Sequence, residues 1–222
     1  EHRISLDVKN KSEITLAVAR DEAFCFYYEA NIREFVKRGI QIQYFSPLHD
    51  SHLPQGISGI LLGGGYPELY GEALSSNVTM KEDIRRAIEK GMPSLAECGG
   101  FMYLHNSIID MDKKNWPMVG IIDGDISYQG KLVRFGYVKI EEKEAAFLEN
   151  DKCIKGHEFH YYDSTKNGEC CTAVKPVSGH SWSCIYEGAE YFWGFPHLYY
   201  PSAPQFVDRF VEQMRKYQGE FA

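Results

Sequence analysis

Long apolar runs are missing from this sequence. None approaches the roughly 20 residues that a membrane-spanning helix needs, so no membrane partner is expected. Basic clusters are missing as well. Lys and Arg number 24 against 31 Asp and Glu, a formal net charge of −7, which argues against a nucleic-acid surface. No Cys-x-x-Cys pair occurs among the six cysteines, Cys25, Cys98, Cys153, Cys170, Cys171 and Cys184. A chain of 222 residues with 44% hydrophobic content can build a core without disulfide staples, so reduced thiols in a cytoplasmic protein are the expectation. No signal peptide opens the chain, and no repeat, low-complexity tract or Pro/Ser-rich linker divides it. Residues 1–12 (EHRISLDVKNKS) read as a polar linker from an upstream domain, and residues 13–222 as one domain.

Within that domain the first hundred residues alternate. Strand patterns at Glu13–Ala19, Ile40–Phe45, Ile57–Leu62 and Ser94–Glu97 are interleaved with helical spacing over Phe24–Arg38 and Ser76–Lys90, closed by Gly39 and Gly91. Such alternation predicts an α/β fold with a mostly parallel sheet covered by helices on both faces. The second half is richer in strands, at 118–122, 131–140, 154–162 and 191–195, and ends in an amphipathic helix over Ser202–Tyr217.

In a sheet of this kind, sites gather at the carboxyl ends of the strands. Two segments fall there. Gly63-Gly64-Gly65-Tyr66-Pro67-Glu68 follows the third strand; it lacks the Gly-Lys-Ser/Thr ending of a nucleotide P-loop, which leaves an oxyanion role for its exposed amides. Ser94-Leu95-Ala96-Glu97-Cys98-Gly99-Gly100-Phe101 runs from strand to helix through a single cysteine. That is the nucleophile-elbow pattern, better known with serine. A cysteine picked at random is usually a small buried hydrophobe; the Gly-Gly that follows this one favours a functional reading, with helix-terminal amides expected to lower its pKa.

A cysteine nucleophile needs a base. His2, His49, His52 and His180 lie in polar segments, and His105 falls within the expected helix after Cys98. His157, His160 and His197 remain, and Gly194-Phe195-Pro196-His197 again closes a strand. His157 and His160, three apart on a strand, point to opposite faces and would not share a metal. No metal site is expected. The aromatic run Phe24–Tyr28 fits either a core or the wall of a flat ligand site.

Several strings together resemble one family: AVARDEAFCFYYE (17–29), YFSPL (44–48), LGGGYPELY (62–70), AECGGFMYL (96–104) and KGHEFHY (155–161). They are similar to the C-terminal glutamine amidotransferase domains of cobyrinic acid a,c-diamide synthases, in the cobyric-type branch of the class I (Cys-His) amidotransferases. The resemblance covers nearly the whole chain and implies a flavodoxin-like sheet. It implies Cys98 as nucleophile and His197 as base, with no acidic third member. Amides around Gly64, Gly65 and Gly99 would hold the oxyanion, and Arg134 would help to hold glutamine. His157, Glu158 and His160 would lie on the substrate side or at a domain interface. Here Pro196-His197-Leu198-Tyr199 stands where the family usually has a second histidine in place of Tyr199.

The same resemblance implies partners. Glutamine would be the substrate, and its ammonia would pass to an ATP-dependent synthase domain, with ATP and Mg, that amidates a carboxylate of a corrin-type macrocycle. No nucleotide P-loop occurs in these 222 residues, so no cofactor is expected in this domain. Two other readings stay open at this point: a non-catalytic docking or tetrapyrrole-binding module of the same fold, and a stand-alone cysteine hydrolase.

Overall fold

The computed structural model describes residues 14–144, 146–148 and 152–221; the expected linker over residues 1–12 lies outside them. Its centre is a six-stranded sheet. From one edge the strands are Gln41–Phe45, Thr15–Ala19, Gly59–Leu62, Ser94–Glu97, Tyr191–Gly194 and Tyr186–Glu187. All neighbours pair in parallel except the last two. In chain order the parallel strands run 2-1-3-4-5, the flavodoxin-like arrangement.

Alternate residues of these strands feed two separate cores. Leu16, Val18, Leu61 and Leu95 join Phe35 of the helix Glu29–Lys37 and Phe206 and Phe210 of the helix Pro204–Phe221. Ala17, Ala19, Ile60, Leu62 and Ala96 join Met80 and Ile84 of the helix Val78–Glu89, together with Phe101. The two-residue period of a strand buried on both faces produces this division. Each large side chain so buried contributes roughly 1.5–3 kcal/mol.

The second half adds two smaller sheets. Tyr162–Ser164, Ile122–Tyr128, His105–Ile109 and Asn115–Pro117 form a mixed four-stranded one. Ser181–Cys184, Cys171–Val174, Arg134–Glu142, Cys153–His160 and His197–Tyr199 form an antiparallel five-stranded one. The expected strand over 154–162 is therefore two strands in different sheets.

The helices differ from their expected bounds for identifiable reasons. Phe24–Tyr28 is not helical: Asp21 Oδ1 accepts from the amides of Ala23 and Phe24, at 2.9 and 3.1 Å, and Phe26 N–H donates to Gly64 at 3.0 Å. The helix then starts at Glu29. The expected helix over Ser76–Lys90 is present as Val78–Glu89, and a further short helix, Gly71–Ser76, precedes it, separated at Asn77 with ψ 70°. The helix after Cys98 is short, Gly99–Tyr103. Its carbonyls at Tyr103 and Leu104 accept from Val119, Ile121 and Ile122 instead of a further helical turn. His105 consequently opens a strand, buried, with Nδ1 2.8 Å from the Phe101 carbonyl.

Candidate active site

The strand Ser94–Glu97 delivers Cys98 to the carboxyl edge of the parallel sheet, where the chain turns at once into Gly99–Tyr103. Cys98 takes φ 46° and ψ −104°, a conformation costly for a non-glycine residue and the mark of an elbow. Its surroundings hold it there. Cys98 N–H donates to the Gly194 carbonyl at 2.9 Å, its carbonyl accepts from Met102 at 2.9 Å, and Gly100 N–H donates to the Gly63 carbonyl at 2.8 Å.

The elbow and the Gly63–Gly65 loop fit together only without side chains. A Cβ on Gly99 would stand 3.0 Å from the Gly65 nitrogen and 2.9 Å from Cδ of Pro67. One on Gly65 would run into the Ala23 carbonyl, and one on Gly64 would stand 2.9 Å from Nδ1 of His197. Cys98 and His197 therefore flank the same loop. Among the described residues no protein group accepts from the Gly65 N–H, whereas the Gly99 N–H faces the Cys98 sulfur.

His197 reaches the site from another sheet. Tyr191–Gly194 ends in the parallel sheet, and after Phe195-Pro196 the chain enters the five-stranded one, where His197 stands opposite His157. Pro196 has no N–H to continue the first ladder, so the switch comes naturally at this residue. The histidine strand is then fastened down. Leu198 N–H and the Tyr200 hydroxyl donate to the two oxygens of Glu97, at 3.3 and 2.6 Å. Asn31 donates to the Leu198 carbonyl at 2.7 Å and accepts from Tyr200 N–H at 2.9 Å. Glu97, the residue before Cys98, thus ties the cysteine strand to the histidine strand.

The imidazole of His197 stacks on that of His157 with centroids 4.9 Å apart and meets the edge of Phe26 at 4.6 Å. His157 is itself held by the Tyr28 hydroxyl, 2.8 Å from its Nδ1. His197 Nδ1 is buried and has no hydrogen-bond partner, a group for which a substrate or water is the natural complement.

Burial sets the protonation of the pair. It pushes the Cys98 thiol up to about 12, helped by the Glu68 carboxylate and opposed by the Gly99 N–H. Burial likewise holds His197 down to about 3, with His157 and His160 adding to the effect. The expected lowering of the cysteine pKa is therefore reversed: one amide at a five-residue helix does not offset removal of the sulfur from water. The resting pair is a neutral thiol and a neutral imidazole.

A cavity of about 300 Å³ opens beside Cys98. Gly65, Glu68, Met102, Phe159 and His160 are among the residues that line it. His160 is buried, with Nδ1 2.7 Å from the Tyr162 carbonyl, Nε2 2.9 Å from Glu158, and its ring stacked on Phe195 at 4.0 Å. Glu158 is 2% exposed and also accepts from the Trp182 indole at 3.3 Å. Both lie inside the fold, not on an outer face; His157, on the opposite side of the strand, joins His197.

Arg134 does not line the cavity at Cys98. Its guanidinium lies 4.8 Å over the Trp182 ring and lines a separate small cavity with Glu158, not the one at Cys98. Two carboxylates that sequence reasoning left without a role are prominent instead. Burial raises both Glu97 and Glu68 to about 7. Adjacency to Cys98 was the available signal for Glu97, and the Gly-rich loop ending in Pro67-Glu68 was the signal for the other. Among the described residues no group of three or more His, Cys, Asp or Glu side chains could hold a metal ion.

Residues 15–192 match the CobB/CobQ-like glutamine amidotransferase domain family. The cobyrinate a,c-diamide synthase of Caldanaerobacter subterraneus subsp. tengcongensis is 35% identical over 209 residues, which is 93% of this chain and 46% of that protein. That of Priestia megaterium is 37% identical over 211 residues, 94% of this chain and 46% of that protein. The chain spans about half the length of these curated relatives. Among solved structures, a glutamine amidotransferase superposes with a TM-score of 0.62 at 14% identity, covering 90% of this chain and 98% of that one, a likeness of fold alone.

Proposed function

The chain belongs to the CobB/CobQ-like glutamine amidotransferase family, and from that membership we propose that it hydrolyses glutamine through a thioester on Cys98. His197 takes the thiol proton as sulfur attacks the side-chain carboxamide carbon. The oxygen that becomes negative is received by the Gly65 and Gly99 amides. The tetrahedral intermediate collapses with C–N cleavage, His197 returns the proton to the departing nitrogen, and ammonia leaves. Water, deprotonated by the same histidine, then cleaves the γ-glutamyl thioester to glutamate and free thiol.

The ammonia is consumed, on this proposal, by an ATP- and Mg-dependent synthase portion that amidates carboxylates of a corrin-type macrocycle. The relatives named cobyrinate a,c-diamide synthase, twice the length of this chain, support that assignment. The observation that carries the hydrolytic reading is the elbow: a positive-φ cysteine beside an unpaired Gly65 amide, with an unpartnered histidine nitrogen across the same loop. The test is labelling by 6-diazo-5-oxo-norleucine, read as intact mass with the synthase portion present. Labelling confined to Cys98, blocked by glutamine, abolished in Cys98→Ser and slowed in His197→Ala is expected. No labelling would overturn the reading.

A further inference from the structure

The walls of the cavity beside Cys98 are largely apolar and aromatic, among them Leu69, Met102, Met111 and Phe159. One carboxylate lines it, Glu68. It stands on the single turn Pro67–Tyr70 that leaves the Gly63–Gly65 loop. Its Oε2 is buried and has no hydrogen-bond partner. No Lys or Arg lines the cavity, and no cation pairs with Glu68 among the described residues. A carboxylate held against apolar walls without a counter-ion is unfavourable, and an arrangement of this kind is completed by a ligand that brings a cation.

The reaction assigned above supplies a substrate of that description. Glutamine carries an α-ammonium group at the end of the molecule remote from the carboxamide that Cys98 attacks. We propose that Glu68 is the specificity residue that receives this ammonium, so that the site takes a free amino acid in preference to a simple amide. The inference rests on the glutaminase reading and adds to it.

It also gives the substrate a part in its own activation. After burial, Glu68 is the largest influence that raises the Cys98 thiol. An ammonium bound to Glu68 cancels that charge and places a positive one within its reach of the sulfur, which favours the thiolate when glutamine is in place. An empty site keeps the thiol protonated and unreactive.

The experiment uses two reagents that differ only in the ammonium: 6-diazo-5-oxo-norleucine and its des-amino analogue, 6-diazo-5-oxohexanoic acid. Their rates of Cys98 alkylation are compared by intact mass, with the synthase portion present. The wild type should prefer the amino reagent by about ten- to a hundredfold, the range expected for a hydrogen bond to a charged group. Glu68→Gln should remove most of that preference, because the amino reagent loses its partner while the des-amino reagent is not slowed, loss of the Glu68 charge favouring the thiolate, and Glu68→Asp should keep part of it. Equal slowing of both reagents, or of neither, overturns the proposal. A second measurement does not depend on any variant: glutamine should protect wild-type Cys98 far better than 4-carbamoylbutanoate, and equal protection overturns it. If wild-type Cys98 reacts with neither reagent, the glutaminase reading fails and this inference falls with it.

Discussion

Gly64→Ala places a methyl group against the imidazole of His197. Its Cβ would stand 2.9 Å from His197 Nδ1, nearer still to Cε1, and 3.3 Å from Cβ of Phe26. Carbon atoms in contact prefer about 3.5–4.0 Å, so the imidazole must retreat by about 1 Å or more. The stacked His157 ring and the Phe26 ring pack against the imidazole and limit its retreat. Overpacking of this order costs about 1–3 kcal/mol, and each kcal/mol lowers Tm by roughly 2–4 °C in a domain of this size. The effect on catalysis should be larger, because about 1 Å of misplacement costs on the order of a hundredfold in rate. The decisive assay is a double-mutant cycle by denaturant unfolding. In a His197→Ala background the ring is gone, so adding Gly64→Ala should cost little, a coupling of about 1–3 kcal/mol. Gly65→Ala is the control: its methyl meets the Ala23 backbone carbonyl, which His197→Ala cannot relieve. Equal cost of Gly64→Ala in both backgrounds would refute the reasoning, since the imidazole would then not be what fills the space.

Tyr200→Phe should leave one Glu97 oxygen buried without its donor, costing about 1–3 kcal/mol by unfolding; glutaminase assays should show kcat falling with KM nearly unchanged, because the tie positions His197 and does not touch substrate. Burial holds His197 at about 3 against an ordinary 6.5, so the folded state binds fewer protons and its stability drops as pH falls from 6.5 toward 3. Urea midpoints of His197→Ala should therefore decline less steeply than wild type across that window. Glu97, raised to about 7 from 4.5, has the opposite sign: its contribution is full at low pH and is lost as pH rises through about 7, so Glu97→Gln should flatten that part of the profile. Iodoacetamide should alkylate exposed Cys25 well before buried Cys98, and the Cys98 rate should keep rising with pH without a plateau near 9, consistent with a thiol pushed up to about 12.

The parallel sheet was legible because its strands are short apolar runs separated by amphipathic helices, and because the glycine loop and the cysteine both follow such runs. Of the later strands, Arg134–Glu142, Cys153–His160 and Tyr191–Gly194 were legible as strands but not as sheets, whereas the run expected over 118–122 only reaches the start of Ile122–Tyr128, and Cys171–Val174 and Ser181–Cys184 were not read at all. Period-two alternation marks a strand without naming its neighbour, so nothing local separates Cys153–His160 from Tyr162–Ser164. Phe24–Tyr28 has helical spacing, yet the Asp21 carboxylate captures the amides that would open a helix there. The Cys98 pKa was misjudged because amides near an elbow can be read from Gly99-Gly100, whereas burial depends on packing from the whole chain. The setting of Arg134 was not legible for a related reason: its partner Trp182 comes from a strand much later in the sequence.

The placement of Cys98 and His197 has a mechanical consequence. Cys98 belongs to the parallel sheet and His197 to the five-stranded one, joined by Phe195-Pro196 and the Glu97 tie. The proposed pair thus sits at a joint between two sheets and not within one. On the proposed mechanism, any shift of one sheet against the other changes the separation of the sulfur and the imidazole, and the hydrogen bonds of Glu97 to Leu198 and Tyr200 resist it.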